Sequence, residues 1–233
     1  AKMTERYQNG GTRIEDTYED DINWGNLTTS LRWNHVIGPK FLSSYSFSFT
    51  RYQFNIEQGQ ERTTVNDTMN QTVSYLLKYF SGIRDFSLKA DYEYSASKKH
   101  YLRFGAVYIN HQFAPGAIQA KFNVPGQSLD TGLGPTQRTL TTEAAVYLED
   151  DITVNARLRF NIGLRVSAYF VEGKEYYSPE PRLSMRYYLN TKWALKTSYS
   201  YMNQYLHLLT NSGFGMPTDL WVPATARIKP QNS

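Results

Sequence analysis

The chain has 233 residues, with 25 basic and 21 acidic side chains interspersed to a formal charge of +4, and no basic block of the kind that tracks a nucleic-acid backbone. Cysteine is absent, which removes a disulfide framework and any thiolate metal site. No stretch approaches the roughly 18 consecutive apolar residues of a spanning helix; the best run, Ala144 to Leu148, is far too short.

What the chain carries instead is a period of two. Its mean hydropathy of −0.56 decides little, because a strand in a barrel wall turns only alternate residues to lipid. The amino-terminal stretch Ala1 to Asp21 is polar and lacks the apolar core of a signal peptide, so an exported chain of this kind is expected to be mature or a segment of something longer. Within it, Asp16 to Asp21 lacks the spacing of a calcium loop and reads as an acidic extracellular loop.

The first strand is predicted over Ile22 to His35 and the second over Phe41 to Ile56, where Phe41, Tyr45, Phe47 and Phe49 alternate with Ser44, Ser46, Ser48 and Thr50. Glu57 to Arg84 is expected to be a long loop. The third strand, Asp85 to Ser95, sets Phe86, Leu88, Tyr92 and Tyr94 against Lys89, Asp91 and Glu93. The fourth covers His100 to Phe113, followed by a second long loop, Ala114 to Gln137. The fifth, Arg138 to Asp150, places Glu143 and Glu149 opposite Leu140, Val146 and Leu148. The sixth, Arg157 to Val171, alternates Leu158, Phe160, Ile162, Leu164 and Val166 with Arg157, Arg159, Asn161, Gly163 and Arg165. The seventh and eighth are predicted over Pro181 to Leu189 and Trp193 to Leu206, and the tail from His207 onward is read as a further long loop.

Short connectors such as Gly38 to Lys40, Ala96 to Lys99 and Asn190 to Lys192 alternate with long ones. That asymmetry predicts an antiparallel transmembrane β-barrel with short turns periplasmic and long loops extracellular. Eight strands close around an interior that side chains fill, and Asp91, Glu93, Arg103, Glu143, Glu149, Arg159, Arg165, Arg182 and Arg186 all fall on the polar side. Burying so many charges is costly unless each is paired, so the eight strands are expected to be part of a wider, wetter wall of about 22 strands. A soluble β-sandwich, whose polar face is simply solvated, and a small autonomous outer-membrane barrel with a structural or adhesion role remain alternatives.

Tyr147-Leu148-Glu149-Asp150-Asp151 followed by Leu158 to Arg165, then Pro179 to Ser184, Trp193 to Ser200, Met202 to Leu206, Leu220 to Pro223 and Lys229 to Gln231, resembles in order and spacing the barrel of TonB-dependent outer-membrane receptors. The resemblance runs from about Ala96 to the end. It is greatest to the large receptors of gut-type Gram-negative bacteria that carry a carboxypeptidase-like regulatory extension. It implies outer-membrane import of a scarce siderophore, glycan, peptide or cofactor. The implied partners are outer-membrane lipid, a plug domain, the TonB complex reached through an amino-terminal box, and a surface lipoprotein. Neither plug nor box is recognisable, so residues 1–233 are read as a barrel segment.

The four histidines lie on different predicted strands or turns and offer no metal-ligand spacing. No G-x-S-x-G turn or phosphate-cradling loop is present, so no catalytic residue, metal or cofactor is expected. Loops on a rigid scaffold are where binding concentrates, which makes His111, Phe122, Tyr205, His207, Phe214 and Trp221 the candidate ligand or partner contacts. The charged residues of the polar side are the candidate lumen or plug contacts.

Overall fold

The structure is a computed structural model that describes residues 1–133, 138–211 and 218–233. Every helix or strand among them is a strand. One 10-stranded antiparallel sheet contains β1 (Lys2–Asn9), β2 (Thr12–Gly38), β3 (Phe41–Asn66), β4 (Met69–Ser95), β5 (His100–Val124), β6 (Gln127–Leu133), β7 (Thr139–Thr153), β8 (Leu158–Val171), β9 (Lys174–Tyr188) and β10 (Ala194–Ser200). Neighbours in sequence are neighbours in the sheet, except that β5 pairs with both β6 and β7. β10 pairs only with β9, and beyond the reach of β1 the lower part of β2 pairs only with β3, so the sheet is open among the described residues.

The connections sort by end. At one end lie Pro39-Lys40, residues 96–99, residues 154–157 and residues 189–193; at the other lie Gly10-Gly11, Asp67-Thr68, Pro125-Gly126 and Glu172-Gly173. Gly10 and Gly11 both have positive φ, 54° and 82°, as do Glu172 and Gly173, at 46° and 75°. Two consecutive residues of this kind match the right-handed twist of the strands they join.

Beyond the sheet, β11 (Asn203–Gln204) pairs with β14 (Gln231–Asn232), and β12 (Leu206–Asn211) pairs with β13 (Thr218–Pro223). β13 packs against β4 and β5, and Tyr205 and Ala224 are buried with Tyr169 and Val171 of β8. The carboxy-terminal segment therefore lies across one face of the sheet, called the inner face.

Near the short turns, the outer face is apolar. Leu31, Phe47, Leu88 and Tyr108 stand in one cross-strand row, and Phe104, Leu148, Leu164 and Pro181 in another. Many of these side chains are open to the surroundings: Leu31 is 72% exposed, Leu140 60%, Val146 59% and Leu88 56%. No second sheet covers them among the described residues, and a continuous apolar surface of this kind on a water-facing sheet is an association or membrane surface. A sandwich would bury that face against a second sheet.

Higher on β2 to β5, the two faces exchange character; β2, β3 and β4 keep their alternation, while β5 slips by one residue against β4. On β3 the outward series Tyr45, Phe47 and Phe49 continues as Arg51, Gln53, Asn55 and Glu57, while the inward series Ser46, Ser48 and Thr50 continues as Tyr52, Phe54 and Ile56. β2 changes likewise, from outward Trp33, Leu31 and Leu27 to outward Asn23 and Asp21, with Trp24 and Ile22 now inward. A register shift between Phe80 and Gly82 marks the same level on the β4–β5 pair.

This exchange explains where the strands differ from expectation. Glu57 to Arg84 is not a long loop: β3 and β4 run on through it to the tight turn at Asp67-Thr68, as β5 runs through much of the second expected loop to Val124. In β3 the alternation was lost to view because the apolar residues changed sides, and β5 slips by one residue at the same level. β2 likewise begins at Thr12, so the acidic stretch Asp16 to Asp21 is strand. β9 begins at Lys174 although it contains Pro179 and Pro181, and the last predicted strand stops at Ser200, where the chain turns inward.

Candidate functional site

The inner face has three tiers. The middle one is a set of matched charges. Arg103 on β5 bonds Glu149 at 2.6 Å and Asp151 at 2.8 Å on β7, and Asn161 on β8 donates to the same two carboxylates, 2.7 Å from Asp151. Tyr147 reaches across Gly105 to donate its hydroxyl to Asp91, which also pairs with Lys89 at 2.9 Å. A Cβ on Gly105 would strike the Ala90 carbonyl and the Tyr147 ring, so only glycine leaves room for that reach. Tyr101 donates to Glu93.

One step higher, Arg165 on β8 bonds Glu143 at 2.9 Å and lies 3.5 Å from Glu180, and Ser167 donates to Glu180 at 2.8 Å. His111, only 2% exposed, has Nδ1 2.8 Å from Asp85 and Nε2 4.0 Å from Glu143. The carboxy-terminal segment seals this group. Tyr205 stacks on Tyr169 with ring centroids 4.6 Å apart, its hydroxyl is 2.7 Å from Ser167, and Tyr176 donates to the Thr225 carbonyl at 2.6 Å. Charges this well paired tolerate a partly dry site, whereas a lone one does not.

The upper tier is the aromatic and apolar inner surface of β2 to β5. Trp24 is 67% exposed on it, with Ile22, Phe54, Tyr75 and Phe122 on the same face, and Tyr75 and Phe122 are stacked 6.4 Å apart. Its outside is bound by polar pairs: Lys78 with Glu57 at 2.8 Å, and Lys121 with Asp130 at 2.9 Å. The Lys121 bond, aided by Gln119, holds the Asp130 carboxyl below the usual range. Nearer the tip, Arg62 grips both oxygens of Asp16 at 2.7 and 2.9 Å and lowers its pKa in the same way.

An apolar band on the outside, with matched charges and, above them, an aromatic surface on the inside, makes up a barrel wall. The family model described as TonB dependent receptor-like, beta-barrel, matches residues 3–226. The chain belongs to that family. TonB-dependent receptors reside in the outer membrane and are receptors and transporters rather than enzymes. No curated protein sequence matches this barrel.

Among solved structures, the siderophore receptor PirA from Acinetobacter baumannii is similar over 95% of this chain and 44% of its own, at 12% identity and a TM-score of 0.47. For a mutant of the ferric enterobactin receptor PfeA from Pseudomonas aeruginosa the figures are 95%, 39%, 11% and 0.46. For the ferric yersiniabactin uptake receptor FyuA from Yersinia pestis they are 94%, 47%, 10% and 0.42. The chain spans less than half the length of each of these receptors.

In this TonB-dependent receptor barrel the residues expected to meet a ligand do not share one place. His111 is not at a strand exit; it is enclosed between Asp85 and Glu143 in mid-strand. Tyr205, 4% exposed, is a packing residue of the inward segment. His207 and Trp221 lie in the β12–β13 pair, opposite Val222 and Leu208, Phe122 belongs to the upper aromatic surface, and Phe214 lies outside the described residues. Of the expected lumen residues, Asp91, Glu93, Arg103, Glu143, Glu149 and Arg165 are engaged as above, while Arg159, Arg182 and Arg186 have no carboxylate partner among the described residues.

Sequence reasoning missed Asp85, Ser167, Glu180 and the upper aromatic surface. Glu180 was recoverable, since Ser178, Glu180, Arg182, Ser184 and Arg186 share one alternation phase through the two prolines. Nothing in the sequence marks Asp85 as the partner of His111, because that pairing depends on the β4–β5 register.

Proposed function

We propose that this chain is part of the wall of a larger receptor that imports a scarce nutrient, with its tall hairpins outside the cell, its short turns periplasmic, and its inner face turned to a plug in the lumen. Energy comes from the TonB complex, through parts of the receptor beyond this wall. The observation that carries the reading is the exchange of faces on β2 to β5. The outer band is apolar only where lipid would touch it, and above that level the apolar side chains turn inward to line a chamber. A transmembrane strand needs about 9–11 residues, while β2 and β4 have 27 each, and their excess length lies at the end away from the short turns.

Exposed aromatics such as Trp24 offer flat apolar surface to a siderophore, glycan, peptide or cofactor, and a surface lipoprotein seated on the hairpin rim belongs to the same arrangement. The matched charges of the middle tier then face the plug. The unpaired edges of β2 and β10 favour a wider wall over a small autonomous barrel, because an open sheet edge is not tolerated in the hydrocarbon layer.

The test is the intact mass of the native polypeptide from purified outer membranes, identified by peptides of this segment. A mass several times 26.9 kDa is expected; a mass near 26.9 kDa removes the import reading and leaves the autonomous barrel.

A further inference from the structure

On the outer face, between the apolar band and the polar hairpins, one row carries cations with nothing to balance them. Arg51 on β3 is directly opposite Arg84 on β4, and both follow the outward alternation, one outward position above Phe49 and Phe86. Side chains opposed in this way have Cβ atoms about 4.5–5.5 Å apart, and like charges at that spacing repel. None of the residues beside the pair on this face is charged; they include Leu27, Gln53, Gly82 and Gln112. Neither arginine has a carboxylate within 4 Å among the described residues, whereas higher on the same face Lys78 and Lys121 are each matched, at 2.8 and 2.9 Å. Both strands are interior to the sheet, with β2 beside β3 and β5 beside β4, so no further strand can supply the missing acid from the plane of the sheet.

The face is also indented here. Gly82 and Ala114 are opposite each other where β5 slips against β4, and a Cβ on Gly82 would lie 2.8 Å from the Tyr52 carbonyl oxygen, so that position stays free of a side chain. These two small residues line a cleft together with Gln53, Arg84, Gln112 and Arg138. Arg138 likewise has no carboxylate within 4 Å among the described residues, and residues 134–137 before it carry no acid. Three guanidinium groups and two side-chain amides therefore share one patch, and the guanidinium fork matches two oxygens of a phosphate. Directly below, the rings of Phe49 and Phe86 are 4.9 Å apart, and the next outward pair is Phe47 and Leu88, 42% and 56% exposed.

We propose that Arg51, Arg84 and Arg138 hold the phosphate headgroup of a membrane lipid whose acyl chains lie on the apolar rows beneath them. The inference rests on the reading that the hairpins leave the membrane where the faces exchange, and it adds which lipid chemistry that boundary selects. Continuity with the band favours a lipid over a dissolved anion. A free phosphate gains only cations that are open to water and screened by salt, whereas a lipid gains those cations together with apolar contact along Phe49, Phe86, Phe47 and Leu88. A zwitterionic headgroup would bring its own ammonium to a patch that has three cations and no acid, so the site selects an anionic one.

Lipid retention tests this on the intact receptor extracted from outer membranes. The receptor, stripped of lipid in a neutral detergent, is given dioleoyl phosphatidic acid or dioleoyl phosphatidylcholine, and native mass spectrometry counts the lipids that stay bound. The parent is expected to retain phosphatidic acid severalfold better than phosphatidylcholine. The double variant Arg51→Gln/Arg84→Gln should hold one phosphatidic acid fewer than the parent, and Arg138→Gln should weaken the same lipid to a smaller extent. Arg51→Lys/Arg84→Lys, which keeps the charge without the fork, should fall between parent and double glutamine variant. Lys121→Gln, which removes a paired cation farther from the band, should leave retention unchanged.

Three results overturn the proposal: equal retention of the two lipids by the parent; the same number of bound phosphatidic acids in the parent and the double glutamine variant; or release of the lipid by inorganic phosphate at the lipid's own concentration, which makes a small solute the occupant. If the double variant fails to fold, Arg51→Gln and Arg84→Gln taken singly carry the same comparison. The phosphatidylcholine count separates the two failures. If the parent holds that lipid but prefers neither headgroup, only this site is wrong; if it holds neither lipid, the band does not face lipid and the reading of the wall falls with it.

Discussion

The long-stranded half, β2 to β5, and the short-stranded half, β7 to β10, share the same outer apolar band but finish it differently. In the first, strands of 25 to 27 residues continue past the band and trade the polarity of their faces. In the second, strands of 7 to 15 residues stop soon after the band, and the inward segment beginning at Asn203 covers their upper inner surface. The apolar outer band thus occupies only the lower part of each strand. Above it, one half carries an apolar inner side against which β13 packs at β4 and β5, and the other closes over a charged group.

The sharpest way to break this contrast is to put the same charge on the outer face at both levels. Leu164→Arg, flanked in register by Leu148 and Pro181, is expected to destabilise the receptor by roughly 2–4 kcal/mol if it lies at the bilayer midplane. Asn55→Arg, on the outer face of β3 above the exchange, should stay within about 0.5 kcal/mol of the parent. Chemical unfolding of the receptor in bilayers compares them, and equal costs would mean that the exchange does not mark the membrane boundary.

A smaller effect tests the closure of the short half. Tyr205→Ala removes the ring stacked on Tyr169 and the bond to Ser167, a loss of about 2 kcal/mol locally, or roughly a 30-fold rise in opening of the inward segment. Tyr205→Phe keeps the stack and should give about half that loss. Hydrogen exchange at the β12 amides reads both, and unchanged protection in the alanine variant would show that the segment is held by other contacts.

The smallest effect is one of pH in the tall half. Because Arg62 depresses the Asp16 pKa in the folded hairpin, the pair stabilises it at pH above the ordinary aspartate value of about 3.9. That contribution is lost as pH falls through the lowered folded value. Exchange of the β1 and β2 amides, corrected for intrinsic rate, should therefore accelerate on acidification in the parent and much less in Asp16→Asn. The same acceleration in both would clear the pair of any role.

How much of this was legible in the sequence follows from the same division. In β8 the apolar outer face keeps one phase from Leu158 to Phe170, so the periodicity alone places Arg159 and Arg165 on the opposite side. In β3 the phase of the apolar residues flips between Phe49 and Phe54, and a reader following hydrophobicity sees the pattern dissolve where the strand in fact continues. Pro179 and Pro181 conceal the start of β9 for a related reason: they are strand breakers by reputation that sit in β9 opposite Val166 and Leu164. For the site, alternation assigns each charge to a face, but the pairing of Arg165 with Glu143 and of His111 with Asp85 depends on register, which long-range hydrogen bonding sets.

The pairing of β3 with β4 is unbroken from Phe41 opposite Tyr94 at the base to Asn66 opposite Met69 at the tip. At about 3.4 Å per residue, the 26 residues of β3 form a stiff beam more than twice as long as the hydrocarbon layer is thick. A hydrogen-bonded ladder bends far more readily across its strands than along them. Whatever grips the Asp67-Thr68 turn therefore takes hold of a lever whose other end is anchored in the wall beside the lumen.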